Sequence, residues 1–148
     1  MNLMCGKVPM SLLMIGLKPD EMLLESIREA ARKKGVKNGI VVSGIGTLKN
    51  LRMHYITRTH FPVRDKTINI KRPLELLSVS GIIADGEPHL HVVVSCGKEE
   101  VYAGHLEEKS RIAYLGEIAI LQCNGLKMAR VPDARSGIRF LQPRSRRK

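Results

Sequence analysis

His89 and His91 stand one residue apart inside the apolar run from Pro88 to Val94, and His105 follows after the turn-forming Gly97-Lys98-Glu99. On a strand, side chains alternate between faces, so the paired imidazoles leave the same face about 7 Å apart along the chain. If the loop is Gly97 to Glu99, Cys96 pairs with Glu100, His91 lies opposite His105 and His89 is its diagonal neighbour. A two-residue turn at Gly97-Lys98 would instead oppose Leu90 to His105 and put the third ring on the other face. The spacing therefore predicts an odd-numbered loop or a bulge, since only these bring the rings together. Three neutral histidines form a ligand set for zinc, one ion per chain, with a fourth position for water, a carboxylate or substrate. The alternative is three part-buried histidines bonded to backbone carbonyls.

Other residues qualify as chemistry-bearing by their surroundings. Glu75 interrupts an apolar strand, which makes it the candidate fourth ligand or general base. Arg52 and His54 share one strand face and suit an anionic substrate. Cys5, Cys96 and Cys123 are odd in number and lack CxxC spacing, which argues against a disulfide framework or a cysteine zinc site. They read as reduced, small apolar residues.

The elements that must position these residues are legible in outline. Met10 to Gly16 reads as a first strand. Leu17-Lys18-Pro19-Asp20 turns into a helix with Asp20 as N-cap, Glu21 at the positive end of the dipole and an apolar stripe of Leu23, Ile27, Ala30 and Ala31. Arg32, Lys33 and Lys34 occupy the last turn and Gly35 stops it. Short β-branched runs follow: Ile40 to Ser43, Leu51 to Thr57, Leu74 to Ser80, His89 to Ser95, Val101 to His105 and Glu117 to Leu121. Strands this close must mostly pair antiparallel. The expected fold is α+β: a mainly antiparallel sheet with one principal helix on a face. The boundaries expected are an N-terminal segment 1–9, one domain 10–139 and a flexible basic tail 140–148.

The chain has 148 residues, 43% of them hydrophobic and 3% aromatic, with a formal charge of +11. That length buries a core without disulfides, so a metal would serve function. No run is apolar and long enough to span a membrane, and the expectation is a soluble cytoplasmic protein. The charge favours anionic partners, but unevenly. Lys or Arg stands at 49, 52, 58, 64, 66, 71 and 72 against Asp65 alone, while the histidine segment is the acidic stretch of the chain. The C-terminal Arg144, Arg146, Arg147 and Lys148 are the candidate nucleic-acid contacts. Few aromatics and no reader motif leave phosphate contact as the means of binding.

The run from Leu74 to Gly81, then Asp85-Gly86-Glu87-Pro88-His89-Leu90-His91-Val92, then Gly104-His105-Leu106, resembles the PPC (also PCC) domain conserved in plants and prokaryotes. Val41-Val42-Ser43-Gly44-Ile45-Gly46-Thr47-Leu48 is similar to another segment of that family. The resemblance covers about Met10 to Arg139. It implies an antiparallel α+β fold, a homotrimer and, in prokaryotic members, a metal on the same three histidines. Plant members bind AT-rich DNA through an added AT-hook. Pro143-Arg144-Ser145-Arg146-Arg147-Lys148 has no Arg-Gly-Arg-Pro core, and Lys71-Arg72-Pro73-Leu74-Glu75-Leu76 departs from the plant partner-binding stretch. The fold also resembles that of acetolactate decarboxylase, where histidines on a sheet hold catalytic zinc. Three functions follow: first a DNA-associated regulatory homotrimer, then a metal-dependent lyase-like or hydrolytic enzyme acting on a small anionic substrate, and third an interaction module ordered by zinc.

Overall fold

The computed structural model describes residues 10–144. In chain order the elements are β1 (Met10–Leu17), α1 (Leu23–Lys33), β2 (Gly39–Ile56), β3 (Asp65–Ile70), β4 (Leu74–Ala84), β5 (Glu87–Cys96), β6 (Glu100–Leu106), β7 (Arg111–Cys123), β8 (Met128–Pro132) and β9 (Arg139–Pro143). This is the expected α+β arrangement of antiparallel sheet and single main helix.

Helix α1 buries Leu23, Leu24, Ile27 and Ala31 and packs on β1, β7 and β5. Ala30, expected in the stripe, is only half-buried, and Leu24 takes its place. The N-cap is Met22, which offers no side-chain cap, rather than Asp20. Asp20 sits at φ 71 in the turn before the helix. Its carboxylate is 2.8 Å from Lys49 Nζ and 3.5 Å from Arg111 Nη1, pairs that hold it below the usual carboxylate range. At the other end Gly35 adopts φ 68, and the Val36 N–H donates to Ala31 O at 2.8 Å. Val36 buries its side chain behind the last turn, as a glycine-terminated helix favours.

The sheet runs β1-β7-β2-β4-β5-β6, every pair antiparallel. β2 is one strand of 18 residues where two short strands were expected. The stretch between them continues as strand through Gly44 and Gly46, with register shifts between Val41 and Ser43 and between Gly46 and Leu48. Over its first part β2 lies between β7 and β4. Past Leu51 it exchanges them for β3 and for the end of β6, so the circuit β2-β4-β5-β6 closes on itself. Leu48, Leu51, Val79, Ile83, Leu90, Val94, Leu106, Ile118 and Ile120 fill the core under α1.

The connection from β6 to β7 is fastened by Ser110, fully buried. Its Oγ accepts the Arg52 N–H at 3.0 Å and lies 3.1 Å from the Glu107 carbonyl it can donate to. Ser110→Ala orphans these backbone groups, and denaturant unfolding should show a loss of about 1–3 kcal/mol. Wild-type stability in that variant would mean that water replaces the hydroxyl.

β8 and β9 form a separate two-stranded ladder. Residues 140–143, expected as flexible tail, are strand paired to 128–131. The expected boundary at Arg139 thus coincides with the first residue of β9. The hairpin is tied to the sheet by Met128 N–H donating to Asn38 Oδ1 at 3.0 Å and by Arg130.

Candidate metal centre

The β5–β6 loop has the predicted odd count: Cys96 pairs with Glu100, and His91 with His105. On the other edge of β5, His89 pairs with Ile82 and His91 with Ser80 of β4. Leu90, between the two histidines, points into the core. The ligand nitrogens of His89, His91 and His105 all lie within 4.8 Å of one another. The His105 ring stands nearly perpendicular to the other two, at 84° and 80°, with centroids 4.7 and 5.4 Å away. Nitrogens about 2.0–2.1 Å from a tetrahedral zinc are roughly 3.4 Å apart, so small ring rotations suffice. The donor set fits the ion.

Partial burial prepares two of these rings to be neutral. His105 has its pKa lowered to about 4, first by desolvation and then by the neighbouring His54, His89 and His91. His89 is lowered also, by desolvation and then by the Arg130 charge. Above about 6.5 both rings are neutral folded or unfolded, and they cost nothing. Below it the unfolded chain takes up protons first, so metal-free protein loses stability until His105 itself titrates near 4. The melting temperature of metal-free protein should therefore fall by a few degrees across that window, and the fall should shrink in His105→Gln. An equal slope in that variant would place the acid sensitivity elsewhere.

His54 joins this cluster from β2, where its Cα faces that of His105. The two rings stack at 4.4 Å. Its Nδ1 is 2.6 Å from Glu107 Oε1. A carboxylate only accepts, so Nδ1 carries the proton of this bond and Nε2 is left for a second partner. His54, His105 and Glu107 also satisfy the distance condition for sharing an ion. The sequence placed His54 beside Arg52 as an anion contact and did not connect it to the triad. Glu107 was missed altogether, its only signal being its place two residues beyond His105.

Glu75 is not brought to the histidines. It pairs with Ser95, seven positions along β4 from Ile82, which is roughly 20 Å or more on a strand. It lines another cleft with Thr47, Gly97 and Tyr114, while Arg72 pairs with Glu100. Arg144 forms an ion pair with Asp85, and its N–H donates to Lys127 O at 2.8 Å. Arg146, Arg147 and Lys148 lie outside the described residues.

His89 and His105 border a cleft of about 460 Å³ whose walls also include Asp85, Glu87, Arg130 and Arg139. A second hollow of about 360 Å³ on the other side of His89 is lined by Ser80, His91, Phe140 and the same two arginines. Neither arginine was singled out from the sequence, because the hairpin carrying them was read as domain end and tail.

Compared with known proteins, residues 6–124 match the model of the Plants and Prokaryotes Conserved (PCC) domain. A metal-containing protein of Archaeoglobus fulgidus is similar at 26% identity and TM-score 0.78, over 95% of this chain and 98% of that one. A plant- and prokaryote-conserved protein of Pyrococcus horikoshii is similar at 28% identity and TM-score 0.78, over 97% and 99%. Among curated proteins, the bifunctional protein GlmU of a Synechococcus strain is 27% identical over 123 residues, 82% of this chain. The chain spans 18% of that relative's length.

Proposed function

Since this chain belongs to the Plants and Prokaryotes Conserved domain family, we propose that it holds one zinc ion per chain through His89, His91 and His105 and uses it on a small anionic ligand. The observation carrying this reading is the convergence of three imidazoles, two of them beside an open cleft. Three protein ligands and a free position are the pattern of catalytic rather than closed structural zinc. The metal-containing archaeal relative adds support. When bound, the ion supplies Lewis acidity to a carbonyl or phosphoryl oxygen. The chain's own part is to orient His105 against the stacked His54 and to take up or return a proton at His54 Nε2, with Glu107 fixing the tautomer.

Elemental analysis of protein purified without a histidine tag should find about one zinc per chain, lost in His91→Ala and in His105→Ala. Folded, metal-free wild type overturns the reading. With zinc loaded, a screen of hydroxy- and keto-acids reads the chemistry. There His54→Gln should lower kcat by roughly 10²–10⁴-fold and leave zinc content unchanged.

The regulatory, nucleic-acid-associated reading stands second, and the formal charge of +11 supports it. It ranks below the metal reading because Arg144, the described member of the expected contact set, is engaged with Asp85. Duplex DNA binding measured by anisotropy should weaken steeply between low and moderate salt, and unchanged affinity removes this reading. A homotrimer is proposed with either. Leu12, Met14, Ile40, Val42 and Leu115 are exposed on strands whose alternate residues face the core, an apolar surface that self-association would cover. Light scattering should give three times the chain mass, and a monomer overturns it.

A further inference from the structure

The β8–β9 hairpin lies beyond the residues matched to the family, yet it supplies one wall of both hollows flanking His89. We propose that Arg130 and Arg139 on this hairpin form an oxyanion subsite, taking the carboxylate or phosphoryl end of a ligand whose other end meets the three histidines. This deepens the metal reading, and the arginine pair itself does not require the ion.

Arg130 is held in place by the sheet. Its Nη1 donates to Glu87 O at 3.0 Å and its Nη2 to Ile82 O at 2.9 Å. Ile82 is the strand partner of His89, so the guanidinium is fixed directly beside a proposed ligand. Both acceptors are neutral carbonyls. They satisfy N–H groups without cancelling the charge.

Arg139 adds a second charge beside it. Its Nη2 donates to Arg130 O at 3.0 Å, which sets two cationic side chains next to each other at the rim. The acids nearby are engaged elsewhere: Asp85 pairs with Arg144, and Glu87 has Arg28 at 3.8 Å. Among the described residues neither Arg130 nor Arg139 has a carboxylate within ion-pair distance. Asp85 and Glu87 also line the larger cleft, but Arg144 and Arg28 hold them, so two like charges, one partly desolvated, face it without an ion-pair partner of their own and are stabilised by a bound anion. Arginine's planar fork suits the paired oxygens of a carboxylate or phosphate. The cleft volumes of about 460 and 360 Å³ admit a small molecule.

The test is calorimetric titration of inorganic phosphate, and separately of malonate, into chelator-treated full-length chain at neutral pH and constant ionic strength. Saturable one-to-one binding of either probe is expected, and the preferred probe separates a phosphoryl from a carboxylate ligand. Arg139→Gln should weaken it by about tenfold or more, while Lys98→Gln, which removes an equal charge from the exposed β5–β6 loop, should leave it unchanged. Circular dichroism establishes that both variants are folded. No saturable binding by the wild type, or equal affinity in Arg139→Gln, overturns the proposal and reduces both arginines to staples of the hairpin. Because the titration uses metal-free protein, its outcome is independent of whether the chain holds zinc.

Discussion

Gly81→Ala should lose most of its metal affinity while retaining all three histidines. Gly81 pairs with Leu90 across the β4–β5 ladder, at φ 151, a backbone conformation that L side chains rarely adopt. A Cβ there would stand 2.1 Å from the His89 carbonyl oxygen and 2.9 Å from Leu90 Cα. Both contacts are backbone, so no side chain can swing aside to relieve them. The strands must separate at the residue that carries the first ligand. Strain of this kind costs on the order of 1–3 kcal/mol before lost ladder hydrogen bonds are added. Displacing a ligand from the outer support that orients it costs about 10–100-fold in metal affinity. Competition against a chromophoric zinc chelator, with urea unfolding alongside, measures both. Wild-type affinity in this variant would show that the strand pair absorbs the clash without moving His89.

The second large effect is expected from Leu90→Ala, a substitution on the strand that carries His89 and His91 but on the face opposite theirs. Leu90 is 1% exposed and lies in sequence between His89 and His91, so its burial in the core under α1 fixes the direction of the two imidazoles. Truncation leaves a cavity in a closely packed sheet and should cost about 2–5 kcal/mol, read as a lower urea midpoint at constant slope. Zinc at a hundred times the wild-type dissociation constant should restore about 2.7 kcal/mol to any variant that binds it as tightly as wild type. Leu90→Ala should recover less than that, because its ligands are no longer held on a rigid strand. Full recovery would mean that the hairpin holds the ion without help from the core.

The hairpin was legible because everything that sets it is local. Gly97 at φ 65 opens a loop whose odd count fixes the register, and period-two alternation then assigns His89, His91 and His105 to one face. What escaped the sequence depends on distant pairings. His54 meets Glu107 across 53 positions, and only the change of partner halfway along β2 brings them together. Gly44 and Gly46 fell between two expected strands, yet each marks a close approach within one: a Cβ on Gly46 would lie 2.3 Å from Leu115 O. Asp65–Ile70 gave no strand signal, since its residues are exposed or half-buried and pair on one side with β2 alone. Arg130 and Arg139 were hidden by composition, because a basic, proline-bearing terminus has the look of an unpacked tail until a second strand is seen beside it. Asp20 was misassigned as a helix cap because its type suits that role, whereas its position in space made it a partner for Lys49 and Arg111.

The odd-numbered loop after Cys96 makes the proposed ligand set a module. His89, His91 and His105 reach one another through a single hairpin, whereas His54, Arg130 and Arg139 come from other segments of the chain. Relatives that share the hairpin can therefore inherit the ion without inheriting the chemistry. Reactivity is free to diverge by exchange of the segments that lean over the hairpin, so a function established for one member transfers to another only where those overhanging residues match.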